Sequence, residues 1–268
     1  TLSRVAGGAV AGKFLHCLGI SVVACTVELG GIAAALDDLE GASDRPFFSP
    51  DERSIPLWEE CVRKAKKDGD TLGGLVHVAI HGLPAGLGEP VFDKLDARLA
   101  YAFMGVGAVK GVEIGLGFAS ARLRGSRNND GMRPSAAPGV PDEAAAGTEL
   151  QDSSHCAPVD ALSGKVAASG SLPNGAGYCF TGNNAGGILG GMSSGAPVTA
   201  TVAVKPISSN AREQQTITRD GRPADILVGG RHDISAIPRI VPVLKAMAAL
   251  TVADFVLLQA GAKLADFR

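Results

Sequence analysis

Aromatic residues and excess charge are both scarce in this chain of 268 residues. Only 4% of the residues are aromatic, and the formal net charge is −2, from 25 basic and 27 acidic side chains. This balance does not favour a nucleic-acid partner, because proteins of that class carry an excess or a cluster of positive charge. An anionic small molecule would have to be bound by a local group of cations instead.

The cysteines follow no pattern that would build a disulfide framework or a metal site. There are five, with no C-x-x-C pair: Cys17, Cys25, Cys61, Cys156 and Cys179. An odd, scattered set is typical of reduced thiols in a reducing compartment. We therefore expect a cytoplasmic protein without a metal site.

Long uninterrupted hydrophobic runs are also missing. The most apolar stretch, residues 237–258, contains Arg239, Lys245 and Asp254 as well as two prolines, which favours a buried helix over a membrane span. The chain starts at Thr1, without a methionine and already at helical spacing. We therefore expect the natural protein to have sequence before Thr1.

Hydrophobic residues make up 46% of the chain, enough for the core of one large domain over residues 1–268. Apolar spacing predicts helices over 1–18, 51–67, from Pro90 to Phe103 and over 237–263, and strands over 20–29, 72–83, 112–118 and 198–204. In the 72–83 strand the alternation places Val76 and Val78 inward. It places His77 and His81 together on the opposite face, which we expect to be exposed.

Residues 131–177 differ in kind from the rest. They are rich in Ala, Gly, Pro and Ser, have no periodicity and contain no aromatic residue, which predicts an inserted surface segment of low complexity. His155 and Cys156 are neighbours within this segment. We interpret them as a chance pair and not as a pair of metal ligands.

The candidate ligand-binding residues lie mainly in the segment 182–233. Five of the first ten residues are glycine, and the strand 198–204 that follows places Lys205 on the face opposite Val198 and Val204. A phosphate could be bound here by an ammonium, two hydroxyls and a planar guanidinium group. These groups belong to Lys205, to Ser208 and Ser209, and to Arg231. The alternative is a pair of glycine-rich turns that bound a buried strand.

Three blocks of this stretch resemble the chorismate synthase family: Asn-Asn-Ala-Gly-Gly-Ile-Leu-Gly-Gly at 183–191, Lys-Pro-Ile-Ser-Ser at 205–209 and Gly-Arg-His-Asp at 230–233. The segment 84–96 is similar to the family nearly residue for residue. The resemblance implies an α/β fold, a β-α-β sandwich of the chorismate synthase type with helices packed between antiparallel sheets. It also implies a homotetramer.

The implied activity is a lyase reaction of the shikimate pathway, which makes aromatic amino acids. An anionic substrate, 5-enolpyruvylshikimate 3-phosphate, loses phosphate by 1,4-elimination to give chorismate, with reduced FMN as cofactor. Some members of the family also use NADPH to reduce the flavin. Carried over by position, Asp233 is the carboxylate that deprotonates flavin N5, and the FMN-binding residues are Gly107, Ala108, Gly190, Lys205, Pro206, Ile207, Ser208, Ser209 and Arg231.

Two departures from the family pattern leave alternatives open. Ile234-Ser235-Ala236 stands where Pro-Cys-Val is usual, and Lys245 where Glu is usual. The family's general-acid histidines are expected before Thr1. A non-catalytic relative that binds FMN or only supports assembly is therefore the second hypothesis. A nucleotide hydrolase or a dehydrogenase is the third, although no G-x-x-x-x-G-K-[ST] motif occurs.

Overall fold

The computed structural model describes residues 1–134, 169–171 and 177–262. Its centre is an antiparallel sheet of five strands in the order β2-β1-β3-β10-β4. These strands are β1 Ser21–Leu29, β2 Ile32–Ala33, β3 Gly74–His81, β4 Val109–Ile114 and β10 Val198–Val204. Helices cover one face of this sheet, so the expected α/β architecture with antiparallel strands is confirmed.

The helices are α1 Leu2–Cys17, α2 Ser54–Lys67, α3 Leu95–Met104, the short α4 Gly125–Asn128 and α5 Ile237–Ala262. The longest, α5, packs against α1, α3, β1 and β3. It buries eleven residues, among them Ile237, Leu244 and Phe255. By length and composition alone α5 could cross a membrane, but more than half of its most apolar stretch is buried inside the fold.

The alternation predicted for β10 is confirmed. Val198, Ala200, Val202 and Val204 point toward the helices and are at most 4% exposed. In β3, Val76, Val78 and Ile80 face the same core. Because side chains alternate along a strand, Thr199, Thr201 and Lys205 project from the opposite face.

The predicted exposure of His77 was wrong. His77 lies between Cys25 of β1 and Thr201 of β10 in the strand register and is only 5% exposed. Beside it, Cys25 and Val27 form a second apolar cluster with Ala42 of the one-turn helix Gly41–Asp44. The residues that cover His77 are far from it in sequence and do not affect the alternation within its own strand. That alternation alone therefore predicts a solvent-exposed face for His77.

Two predicted boundaries were also wrong. The helix begins at Leu95 rather than Pro90, because paired backbone hydrogen bonds between Glu89 and Asp93 close a tight turn instead. Strand β4 ends at Ile114 rather than continuing to Phe118. Gly115, with a φ of 57°, turns the chain where the backbone of residues 184–186 packs too closely for any side chain.

The remaining strands form three small antiparallel sheets. They are β5 Met132–Pro134, β6 Ser169–Ser171, β7 Gly177–Phe180, β8 Ile188–Leu189, β9 Met192–Ser193, β11 Gln214–Ile217 and β12 Pro223–Ile226. Strands β5 and β6 both pair with β7, so the described ends of the predicted insert 131–177 are paired strands. The rest of that segment, with His155 and Cys156, lies outside the described residues.

The contact between α1 and α5 gives a first prediction. A Cβ added to Gly8 would lie 2.5 Å from the Cα of Ala246, whereas one added to Gly12 meets nothing within 4 Å. Gly8→Ala should therefore lower the free energy of unfolding by about 1–3 kcal/mol through overpacking. Gly12→Ala, the matched control on the same helix, should raise it by up to about 1 kcal/mol because alanine favours helix. Urea denaturation measures both, and equal effects of the two variants would contradict this packing.

Burial of His77 gives a second prediction. Desolvation, helped by the nearby His81, lowers the pKa of His77 from 6.5 to about 4, and its Nδ1 has no hydrogen-bond partner. His77 therefore binds a proton near pH 6.5 in the unfolded chain but only near pH 4 in the folded chain. Between these values stability falls with falling pH, by about 1.4 kcal/mol per pH unit from this group.

His77→Val should remove that part of the pH dependence and raise stability at pH 7, because it also removes the unpartnered buried nitrogen. Unfolding free energies measured from pH 7 to pH 4 test this. Replacing the exposed His16 by Gln is the control and should leave the slope unchanged. A His77→Val protein with the wild-type slope would show that His77 titrates normally in the folded state.

Candidate functional site

The candidate site begins where β10 ends. The amide of Lys205 donates to the carbonyl of Ala108 at 2.9 Å, which holds the start of the 205–209 run against the residues that precede β4. Ala108 has a φ of 71°, in the left-handed region that an alanine adopts at a cost of about 1 kcal/mol. Two sequence-predicted segments, Gly107–Ala108 and 205–209, are thus brought together by the fold.

Residues Thr71 and Leu72 connect this first run, 205–209, to the second run, Gly-Arg-His-Asp at 230–233, through the residue that follows it. The buried hydroxyl of Thr71 donates to the carbonyl of Ile207 at 2.6 Å. The next residue, Leu72, donates its amide to the carbonyl of Ile234 at 2.7 Å. Consecutive residues of one segment therefore hold the run 205–209 and the residue that follows Asp233.

The polar side chains of the first run face solvent. Lys205 Nζ donates to the hydroxyl of Ser208 at 3.3 Å, and in the described part of the chain no carboxylate pairs with Lys205. Ser208 and Ser209 are exposed. The side-chain amide of Gln214, at the start of β11, donates through Nε2 to the carbonyl of Ser208 at 3.4 Å and steadies the backbone. An ammonium without a carboxylate partner, beside two exposed serine hydroxyls, is a donor set that suits a phosphate.

Asp233 lies between two arginines. Arg239 makes a bidentate pair with it, with Nη1–Oδ2 at 2.6 Å and Nη2–Oδ1 at 3.1 Å. Arg231 approaches Oδ1 through Nη2 at 3.5 Å, and its side chain is 84% exposed. The predicted proximity of Asp233 to Arg231 is present, but the shorter contacts come from Arg239.

The residues around Asp233 have structural partners. His232 Nε2 lies 2.8 Å from the carbonyl oxygen of Val228. This hydrogen bond gives the His232 ring a structural role without any part in the chemistry. The unusual triplet 234–236 still shapes the turn, because the Ser235 hydroxyl accepts from the amide of Ile237 at 3.3 Å at the start of α5. Lys245 lines a cavity of about 410 Å³ between α1 and α5, apart from the Asp233 contacts.

Two glycines of the predicted site are placed differently. Gly107 is exposed, and a Cβ added there would meet nothing within 4 Å, so the position has room for a larger residue. Gly190 lies in the turn between β8 and β9, and the next residue, Gly191, contacts Lys94 and accepts from the amide of Leu95 at the start of α3. That turn is at the Val198 end of β10, so within one chain the structure does not bring Gly190 to Lys205.

Sequence reasoning missed Thr71, Leu72 and Arg239. The first two act through a hydroxyl and a backbone amide, which carry no distinctive pattern. Arg239 did leave a signal. It is the third residue of α5, and a cation in the first turn of a helix is disfavoured by the helix dipole unless it has a partner.

Comparison with known proteins identifies the family of this chain. The family model described as chorismate synthase matches residues 1–257. Chorismate synthase of Oleidesulfovibrio alaskensis is 54% identical over 259 residues, which are 97% of this chain and 61% of the relative. The chorismate synthase of Nitratidesulfovibrio vulgaris is 52% identical over the same shares.

A crystal structure of chorismate synthase superposes with a TM-score of 0.70 at 27% identity, over 97% of this chain and 63% of that one. The chain thus spans 61% of the length of the curated relatives from these two organisms. Because the family model covers almost the whole chain and the sequence identity exceeds one half, this chain belongs to the chorismate synthase family.

Proposed function

We propose that the protein is a lyase that converts 5-enolpyruvylshikimate 3-phosphate into chorismate and phosphate with reduced FMN. The observation that carries the proposal is the meeting of two distant runs at Thr71 and Leu72. One run carries an ammonium without a carboxylate partner and two serine hydroxyls, and the other holds a carboxylate between two guanidinium groups. Family membership supplies the reaction, and this convergence supports a site for it.

The residues of the two runs fit an FMN phosphate. Lys205 and Arg231 are cations with exposed head groups, and Ser208 and Ser209 add hydroxyl donors. Charge-assisted hydrogen bonds from such groups are the strong contacts of phosphate sites. When bound, reduced FMN would lend electron density to the substrate transiently and take it back, so that the elimination involves no net oxidation.

Asp233 is the proton acceptor in this proposal. Its carboxylate would take the proton from flavin N5 at one of its oxygens, while the neighbouring guanidinium groups keep compensating charge beside it. A homotetrameric assembly, a cytoplasmic location, the absence of membrane and nucleic-acid partners, and flavin reduction by NADPH are further proposals that rest on the resemblance and the composition.

The direct test is an anaerobic assay of the full-length protein with photoreduced FMN and 5-enolpyruvylshikimate 3-phosphate. We expect chorismate and phosphate to form in equal amounts. A protein that binds FMN yet forms neither product would be the non-catalytic relative. A protein that neither binds FMN nor forms product would overturn the cofactor assignment as well.

Removal of either cation should weaken flavin binding. Lys205→Ala and Arg231→Ala should each raise the dissociation constant of FMN by roughly 10- to 100-fold, because each removes a charge-assisted hydrogen bond. Quenching of flavin fluorescence on titration measures this constant. Arg219→Ala, at the exposed turn between β11 and β12, is the control and should leave it unchanged. Wild-type affinity in both site variants would place the phosphate elsewhere.

Loss of the carboxylate should affect turnover more than binding. Asp233→Asn keeps the shape of the side chain but removes the base, so kcat should fall by roughly 10²- to 10⁴-fold with FMN affinity little changed. Steady-state kinetics under anaerobic conditions measure kcat, and the same fluorescence titration measures binding. A variant with wild-type kcat would exclude Asp233 as the proton acceptor.

A further inference from the structure

The carboxylate of Asp233 is held in one plane by Arg239. The two parallel contacts, at 2.6 Å and 3.1 Å, fix both oxygens of the carboxylate at once. The single Arg231 contact of 3.5 Å imposes no comparable constraint. A fork-to-fork pair sets direction as well as distance, which a point contact does not.

Arg239 is attached to a helix that is packed in the core. It is the third residue of α5, a helix that buries eleven residues in the core. The hydrogen bond from Leu72 to Ile234 and the Ser235 hydroxyl at the helix start fix the backbone between Asp233 and Arg239. Arg231 instead follows Gly229 and Gly230, and its side chain is 84% exposed, against 66% for Arg239.

The helix position makes this pair notable. The first turn of α5 contains no acidic residue, and the positive end of the helix dipole disfavours a cation there. Asp233, just outside the helix, supplies the anion that offsets this cost. The same contact that makes Arg239 tolerable at this position therefore also aims Asp233.

We propose that Arg239 is the positioning residue that orients Asp233 for proton transfer, which leaves Arg231 available to the anionic ligand. This inference rests on the proposed function of the site. The pair does not use up the carboxylate, because its two oxygens have about four lone-pair positions and the Arg239 fork occupies two of them. A proton from the ligand is accepted at a remaining position, and Arg239 stays paired with Asp233 while it arrives.

The test compares Arg239→Ala, Arg239→Lys and Arg231→Ala in the full-length protein. Arg239→Ala should lower kcat by roughly 10- to 100-fold while the KM and the FMN dissociation constant stay within about threefold of wild type. Arg239→Lys should recover part of kcat, since it restores the charge but not the fork. Arg231→Ala should instead weaken FMN or substrate binding.

Combination with Asp233→Asn separates positioning from other roles. If Arg239 acts through Asp233, adding Arg239→Ala to Asp233→Asn should change kcat by less than about twofold. A full additional loss in the double variant would overturn the proposal, and so would a loss of FMN affinity equal to that of Arg231→Ala. Arg98→Ala is the matched control. Arg98 lies on α3 and makes an exposed ion pair, at 3.6 Å, with Asp254 of α5, the helix that carries Arg239. Its removal should leave kcat unchanged.

A crystal structure of the Arg239→Ala protein gives a readout that needs no activity. We expect the Asp233 carboxylate to be rotated or disordered while the Leu72–Ile234 hydrogen bond is kept. An unmoved Asp233 would overturn the positioning role. If the wild-type protein forms no chorismate, the proposed function fails, yet this structure still decides whether Arg239 orders Asp233.

Discussion

The candidate site depends on two hydrogen bonds made by consecutive residues just before β3. Thr71 holds the carbonyl of Ile207, and Leu72 holds the carbonyl of Ile234. A buried donor left without a partner costs about 1–3 kcal/mol, so these contacts are strongly favoured once β3 is packed in the sheet. Because β3 is a central strand between β1 and β10, the position of both runs is fixed by the sheet rather than by the loops that carry them.

Helix α5 connects this anchor to the core. Its N-terminus carries Arg239 and starts beside the Leu72–Ser235 bridge, and its body packs on β1, β3 and α1. The close approach at Gly8 and Ala246 leaves little freedom for sliding between α1 and α5. A guanidinium on the first turn of such a helix is therefore positioned by core packing, whereas one on the preceding loop is not.

The sequence predicted the features that depend on local pattern. Alternation over Val198–Val204 indicated which face is buried and placed Lys205 on the other. Non-local contacts defeated the same reasoning. His77 is buried on a face that simple alternation assigns to solvent, and Thr71 acts through partners more than 130 residues away. The shorter-contact partner of Asp233, Arg239, was missed because Arg231, two residues before Asp233, is nearer in the sequence but makes the longer contact.

The position of Gly190 limits what one chain can do at this site. Six residue steps along β10 separate Val198 from Val204, about 20 Å at strand rise. Helix α3 runs over the same interval, from the contact of Leu95 with Gly191 toward Gly107, and its ten residues span about 15 Å. A phosphate is held within hydrogen-bond distance of all its ligands. Gly190 therefore cannot share a phosphate with Lys205 within one chain, and any role it has with the same cofactor must involve a different part of that molecule or a different copy of the protein.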